Sequence, residues 1–343
     1  MRHERPGVYS AYDASAVVSA GAAPKSIGVA ARAAGGTVGE AVTLTSYAAG
    51  VRAFGEDTEA GMCTILKLLF QNGASTVTAV RVADEGTLAD YEAAFAVLEG
   101  QEAQVVVCDS ADVSVQQALR AAVENASACR RERIAVVGGS GETAAELNSE
   151  RMVLVGPDML DGAGQTLPGV FAAAAVAGVI AAGTDPAVPL NGAELRGLGG
   201  LAATYSDNEI DLLVRGGVTP LECVAGVTAP VRGITTRTTT GGAADATWRE
   251  LTTILIVDDI VPAVRDALRS KFARTKNTAR NRGAIRSQVI VELEKKVAAE
   301  IIDSYGEVTA AADPDDPTVC LVEFSFAVAH GLNQIYLTVH ITV

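Results

Sequence analysis

Polar and apolar positions alternate without a break from Gln334 to Val343. Ile335, Leu337, Val339, Ile341 and Val343 point one way in an extended chain, and Tyr336, Thr338, His340 and Thr342 the other. A period of two in β-branched residues predicts a half-buried strand. No Pro or charge run follows it, and those are the devices that usually blunt a free β edge. Such a strand either fills its own sheet or is lent to another subunit.

The rest of the chain shows both periods. Val8-Tyr9-Ser10-Ala11-Tyr12 and Ser15 to Val18 follow the Arg5-Pro6-Gly7 break and are too sparse to hold a core, so residues 1–22 read as an arm. Over 23–100 a small α/β unit is expected. It has strands at Ser26 to Ala31 and Thr76 to Val82, a helix over Thr58 to Asn72 stopped by Asn72-Gly73, and short helices near Thr45 to Phe54 and Leu88 to Leu98. Over 101–230 short apolar runs at Val105 to Cys108, Ile134 to Val137 and Met152 to Val155 alternate with helical stripes at Val113 to Cys129, Glu142 to Asn148, Leu167 to Ala182 and Asp207 to Arg215. That alternation predicts a doubly wound, mostly parallel sheet covered on both faces.

From 231 to 333 the texture becomes α+β. Val231 to Thr240 is Thr-rich and strand-like. Asp258 or Asp259 is expected to cap a helix carrying Val264, Leu268 and Phe272, with Pro262 in its first turn. Ile285, Val289, Leu293, Val297 and Ile301 recur every four residues and predict a second helix ending near Tyr305-Gly306. Asp313 to Pro317 reads as a turn or linker, and Val319 to Val328 as a strand before the terminal one over 334–343.

Composition narrows the function classes. The chain has 343 residues, enough for two or three domains, and aromatics are only 4%, so its apolar content is mostly small Ala and Val. Five scattered cysteines without a CxxC pair fit reduced thiols better than a disulfide frame or zinc site. The start, MRHERPGVYS, has no apolar signal region, and the Gly169 to Gly183 run is too short to span a bilayer, so no membrane embedding is expected. The three histidines, His3, His330 and His340, all lie near one end or the other. A His-based catalytic or metal site inside the α/β body would therefore need a terminal segment to supply its imidazole. No catalytic residue, cofactor or metal ligand is expected.

Two stretches keep chemistry open. Gly138-Gly139-Ser140-Gly141-Glu142-Thr143 stands between a strand and a helix, where a phosphate-cradling loop sits. It lacks the Lys of a P-loop and carries Glu142 where an anion would bind, so it is a plain β–α turn or, alternatively, the loop of a nucleotide- or ligand-binding α/β protein or enzyme. The other stretch is basic. Arg265, Arg269, Lys271, Arg274, Lys276, Arg280, Arg282 and Arg286 face only Asp266 in sequence, in a chain whose net charge is −14. This run is a solvated face, a nucleic-acid surface lacking aromatic interleaving, or a surface for a protein of opposite sign.

The stretch NEIDLLVRGGVTPLECVAGVTAPVRGITTRTTT, then DATWRELTTILIVDDIVPAVRDALRSKF, together with RPGVY near the start and AVAHGLNQIYLTVHITV near the end, resembles the sheath proteins of contractile phage tails and phage-tail-like particles. The resemblance covers both termini and about 207–343. It implies a structural subunit, not an enzyme, with a subtilisin-like but non-catalytic middle domain. Six copies would form rings that stack helically around a tail tube, with baseplate and tail terminator proteins as further partners and no nucleic acid. Contraction would drive the tube through a target envelope. It further implies assembly in a bacterial host cytoplasm into a virion tail or a released particle. Carried over, Val8, Tyr9 and Tyr12 of one arm and Ile335, Leu337, Val339 and Ile341 of the other would join a neighbour's sheet, and the basic residues 265–286 would face tube or neighbour.

Overall fold

The computed structural model describes residues 24–333. The expected arms, with Val8, Tyr9 and Tyr12 at one end and Ile335, Leu337, Val339 and Ile341 at the other, lie outside the described residues.

The short apolar runs become strands: β1 (Ile27–Arg32), β2 (Ala41–Leu44), β3 (Val77–Val82), β4 (Val105–Cys108), β5 (Ile134–Gly138) and β6 (Met152–Gly156). The two-residue strands β7 (Met159–Leu160), β8 (Thr166–Leu167) and β9 (Gly200–Leu201) form a small sheet of their own. Strands β10 (Val218–Val224) and β11 (Val227–Pro230) form a hairpin on the main sheet, whose order is β11-β10-β6-β5-β4-β1-β3-β2. The six inner strands are parallel, and β2 and β11 run antiparallel at the edges. One sheet thus includes β1 to β3 as well as β4 to β6, so it continues across the boundary expected near residue 100.

Burial on both faces explains the continuous apolar strands. Ile27, Val29, Val105 and Val136 face one layer, helices α1 (Tyr47–Phe54), α2 (Met62–Gln71) and α6 (Gly169–Ala182). Ala30, Val80, Val106 and Val137 face the other, α3 (Leu88–Glu99), α4 (Val113–Ala128) and α5 (Gly141–Leu147). Helix α6 is buried along nearly its whole surface, as its Ala-rich sequence predicts. The helix starts follow capping chemistry. Thr87 and Asp90 close a capping box on α3, and Ser206 and Glu209 close one on α7 (Asp207–Arg215). The expected helix over Thr58 to Asn72 begins only at Met62. The Asp57 carboxylate collects the amides of Gly61, Cys63 and Thr64 at 3.1, 3.1 and 2.7 Å and fixes the start there.

The Thr-rich stretch 231–240 is not one strand. Ile234 makes a single bridge to Glu250, and the buried Thr235 and Thr236 hydroxyls donate to the carbonyls of Trp248 at 2.7 Å and Ser149 at 3.1 Å. Side-chain ties replace the ladder, and only the end of the stretch enters the two-stranded β12 (Thr239–Thr240) and β13 (Ala243–Ala244) ribbon.

Beyond the ribbon, α8 (Leu251–Phe272) and α9 (Ala279–Ala298) carry the chain away from the sheet. Two expectations are corrected here. Helix α8 begins at Leu251, so Asp258 and Asp259 are not caps and Pro262 lies in mid-helix. Helix α9 stops at Ala298, and Ile301 lies beyond it, because Glu300 takes a positive φ of 58° and breaks the four-residue spacing. The chain then forms β14 (Ile302–Tyr305), β15 (Thr309–Ala312), β16 (Cys320–Glu323) and β17 (Phe326–Val328).

Candidate assembly surface

Helix α8 joins two cores. Leu251, Ile254 and Leu255 belong to the sheet core, whereas Ile256, Ile260 and Val264 pack with Val289 and Leu293 of α9 and with Ile302 and Val308 in a smaller one. Pro262 removes a helical N–H and crowds the carbonyl one turn back, at Asp258. The carboxylates beside that break are anchored from outside the helix. Arg151 forks onto Asp258 with Nη1 to Oδ2 at 2.9 Å and Nη2 to Oδ1 at 3.1 Å, and Lys296 of α9 meets Asp259 at 2.5 Å. Burial pushes the Asp258 carboxyl above its ordinary range, and Arg151 pulls it partly back. Arg265 meets Glu132 at 2.5 Å. Burial raises the Glu132 carboxyl, and Arg265 outweighs that to leave it below its usual range. These pairs fix the helical hairpin to the N-terminal ends of β5 and β6.

Helices α8 and α9 run antiparallel. Asp259 pairs with Lys296 while Lys271, further along α8, donates to Gln288 Oε1 at 2.6 Å, earlier on α9. The antiparallel hairpin gathers the basic run around its turn. Arg269, Arg274, Lys276 and Arg280 are exposed and make no ion pair among the described residues. Arg282 donates to Asn277 Oδ1 at 3.0 Å, and Arg286 Nε to the Val308 carbonyl at 2.7 Å. Arg265 stands apart from this group, since its guanidinium is taken up within the chain by Glu132.

Alongside the hairpin, β14 and β15 pair with β17 and β16 as one antiparallel ribbon, interrupted where Gly306 N–H donates to the Ser325 carbonyl at 2.8 Å. Val322, Phe324, Phe326 and Val328 alternate toward the smaller core but remain half-exposed, with the Phe324 and Phe326 rings stacked at 6.3 Å. Among the described residues each strand of the ribbon has one partner only, leaving its other edge open. Two-stranded sheets are marginal in water. The Asp313 to Pro317 segment is the ribbon's turn. It lies against the hairpin turn, because Asn277 Nδ2 donates to the carbonyls of Pro317 and Val319, both at 2.9 Å. Sequence spacing predicts the strand after 319 but gives no sign of this cross-turn contact, nor of Arg151 and Glu132 as partners of α8.

At two places where a doubly wound sheet could hold a ligand, polar side chains and backbone are taken up by the chain itself. At the switch between β1 and β4, the buried Asp109 accepts from Arg32 N at 3.2 Å, Arg32 Nε at 3.0 Å and Tyr91 Oη at 2.6 Å. Burial, and then Asp109, push the Tyr91 hydroxyl upward, so it remains a donor. At the Gly138 to Thr143 loop, a Cβ on Gly138 would stand 2.1 Å from both the Gly169 carbonyl carbon and the Val170 nitrogen. Its glycine lets α6 press on β5. Gln116 Nε2 donates to the Gly138 carbonyl at 2.9 Å. No group of three or more His, Cys, Asp and Glu side chains suited to a metal ion occurs among the described residues, and no helix among them is long and apolar enough to cross a membrane.

Known proteins match this arrangement along most of its length. The phage tail sheath protein central domain matches residues 84–236, and the phage tail sheath C-terminal domain matches 243–342. A tail sheath protein of Bacillus phage SP01 is 30% identical over 225 residues, a span of 62% of this chain and 38% of that protein. The fold is similar to the sheath tail protein of Desulfitobacterium hafniense, with a TM-score of 0.73 at 13% identity over 94% of this chain and 100% of that one. It is also similar to the helical sheath of the anti-feeding prophage in its contracted state, with a TM-score of 0.75 at 17% identity over 99% of each chain.

Proposed function

The chain belongs to the contractile tail sheath family, and from that premise we propose that it is the polymerising subunit, building stacked six-membered rings around a tail tube. The observation that carries this reading is the ribbon β14–β17, with open edges and a half-covered aromatic face inside the family's C-terminal domain. Strands lent by neighbours complete it. The donors are residues 334–343, anchored by Ile335, Leu337, Val339 and Ile341, and the segment around Val8, Tyr9 and Tyr12. Backbone pairing alone scarcely offsets the entropy of ordering such an arm. Burial of its aliphatic face decides the balance, and repetition along the lattice multiplies weak contacts through effective concentration.

The basic turn between α8 and α9 faces an acidic protein surface on the tube or a neighbouring subunit. Baseplate and terminator proteins bound the stack. Contraction runs downhill from an extended lattice to a more extensively bonded one, needing neither nucleotide nor metal, while the arms keep neighbours linked as bodies re-dock. The test is deletion of residues 334–343, read by electron microscopy and circular dichroism. The expected product is a folded, soluble subunit that forms no cylinders under conditions where the full chain does. Long cylinders from the truncated chain would rule out strand donation.

A further inference from the structure

Two turns of opposite sign meet at the end of the C-terminal unit. One is the helical hairpin turn, with Arg269, Arg274, Lys276 and Arg280 exposed and without carboxylate partners among the described residues. The other is the ribbon turn, with Asp313, Asp315 and Asp316. They are fastened through a neutral side chain. Asn277 Nδ2 holds the Pro317 and Val319 carbonyls, and Asn277 Oδ1 accepts from Arg282 at 3.0 Å. The acidic turn is itself rigid. Asp313 Oδ1 accepts from the amides of Asp315 at 2.8 Å and Asp316 at 3.2 Å, and Asp316 Oδ1 accepts from Thr318 N at 2.8 Å and its hydroxyl at 2.6 Å. The two turns therefore touch through Asn277, and among the described residues no ion pair joins their charges.

We propose that the ribbon turn Asp313–Pro317 is an electrostatic guard that keeps nucleic acid off the basic hairpin turn while leaving it open to a discrete acidic patch on a protein. This rests on the reading of that turn as protein-facing. Nucleic-acid binding draws on the counterions released from each phosphate a cation neutralises, so carboxylates fixed next to the cations lower the affinity and the salt slope. Lys276 adjoins Asn277, and Asp316 adjoins Pro317, whose carbonyl Asn277 Nδ2 holds at 2.9 Å, so the turns that carry these charges are in direct contact. Charges on touching turns act on one another across the roughly 8–10 Å over which physiological salt leaves fields unscreened. A protein surface can place its few carboxylates opposite the cations and its neutral groups opposite the guard; the evenly spaced phosphates of a duplex cannot be rearranged in that way.

The variant Asp315→Asn/Asp316→Asn keeps the oxygen acceptor of the Thr318 cap and removes two charges. Binding of a labelled DNA duplex, followed by fluorescence anisotropy across a salt titration, is expected to be weak for the full wild-type chain and at least about tenfold tighter for the variant, with a steeper salt slope. Asn277→Ala, which frees the turn, should move affinity the same way. Glu85→Gln/Glu92→Gln makes the same net-charge change at exposed positions on the sheet body and should leave binding unchanged. An equal gain in that control, or no gain in the guard variant, overturns the guard alone. Tight duplex binding by the wild-type chain overturns both the guard and the protein-facing reading of the hairpin turn, and leaves strand donation to be judged by the truncated subunit.

Discussion

In the sheet body, every strand from β10 to β3 has a neighbour on both sides, and helices cover both faces of the sheet; in the C-terminal ribbon, among the described residues, every strand has one neighbour and one half-covered face. The contrast extends to single groups. Asp109 and Asp57 of the body are answered within the chain, whereas the hairpin turn leaves Arg269, Arg274, Lys276 and Arg280 exposed without an ion pair among the described residues. The first region closes its sheet with its own strands and helices, and the second, on the proposed reading, is half an interface.

The sharpest way to break that comparison is inside the body. Gly138→Ala sets a Cβ 2.1 Å from backbone atoms of the first turn of α6, which has no side chain to rotate away. Helix α6 or β5 must move, and nearly all of α6 is core. The expected loss exceeds about 4 kcal/mol, seen as a collapsed urea midpoint or failure to accumulate soluble protein. A variant with an unchanged midpoint would mean that the body does not rely on the close approach of α6 to β5.

The next effect falls at the joint between the regions. The Arg151 and Asp258 side chains are only 13% and 15% exposed, and their fork spans the sheet and α8. Asp258→Ala strands the Arg151 guanidinium without its counter-charge and should cost about 3 kcal/mol in chemical denaturation. The double change Arg151→Met/Asp258→Leu should recover most of that loss, because an apolar pair of similar volume carries no unpaired charge. If the single variant is as stable as the parent, the fork does not hold the two regions together, and the shared helix and the Arg265–Glu132 pair do.

The αβα layering was legible in the sequence because it is written locally. Val105 to Cys108 and Asp207 to Arg215 match their predicted limits, since an apolar run or a capping box needs no distant information. The joint was not legible for the opposite reason. Asp258 and Asp259 look like helix caps because caps are Asp-rich. They sit inside α8 because Arg151, far back in the chain, and Lys296, one helix on, supply partners that no local window contains. Strand β2 and the β10–β11 hairpin escaped notice for a related reason: Ala41 to Leu44 is a short edge strand, and Pro220 lies within β10 where local rules argue against a strand. At the candidate site, the eight cations could be read directly. Their separation into Arg265, bound to Glu132, and the cluster around the turn needed the antiparallel hairpin.

The smallest expected effect on the monomer is also the one that most sharpens the comparison. Phe326 lies on β17, half-exposed and stacked on Phe324, with one pairing partner for its strand. Truncating a buried aromatic in a closed core costs roughly 3–5 kcal/mol. Here only part of the ring is removed from water, and no closed cavity forms, so Phe326→Ala should lower the stability of the isolated subunit by only about 1 kcal/mol. If the ribbon is completed by a neighbour's strand, the same ring is covered in the lattice and its loss is repeated at every subunit. Cylinder formation should then fail at protein concentrations where the parent assembles, although the variant melts within a few degrees of it. A variant that assembles normally would place the shared strand elsewhere, and one that unfolds outright would make the ribbon a core in its own right and end the distinction between the two regions.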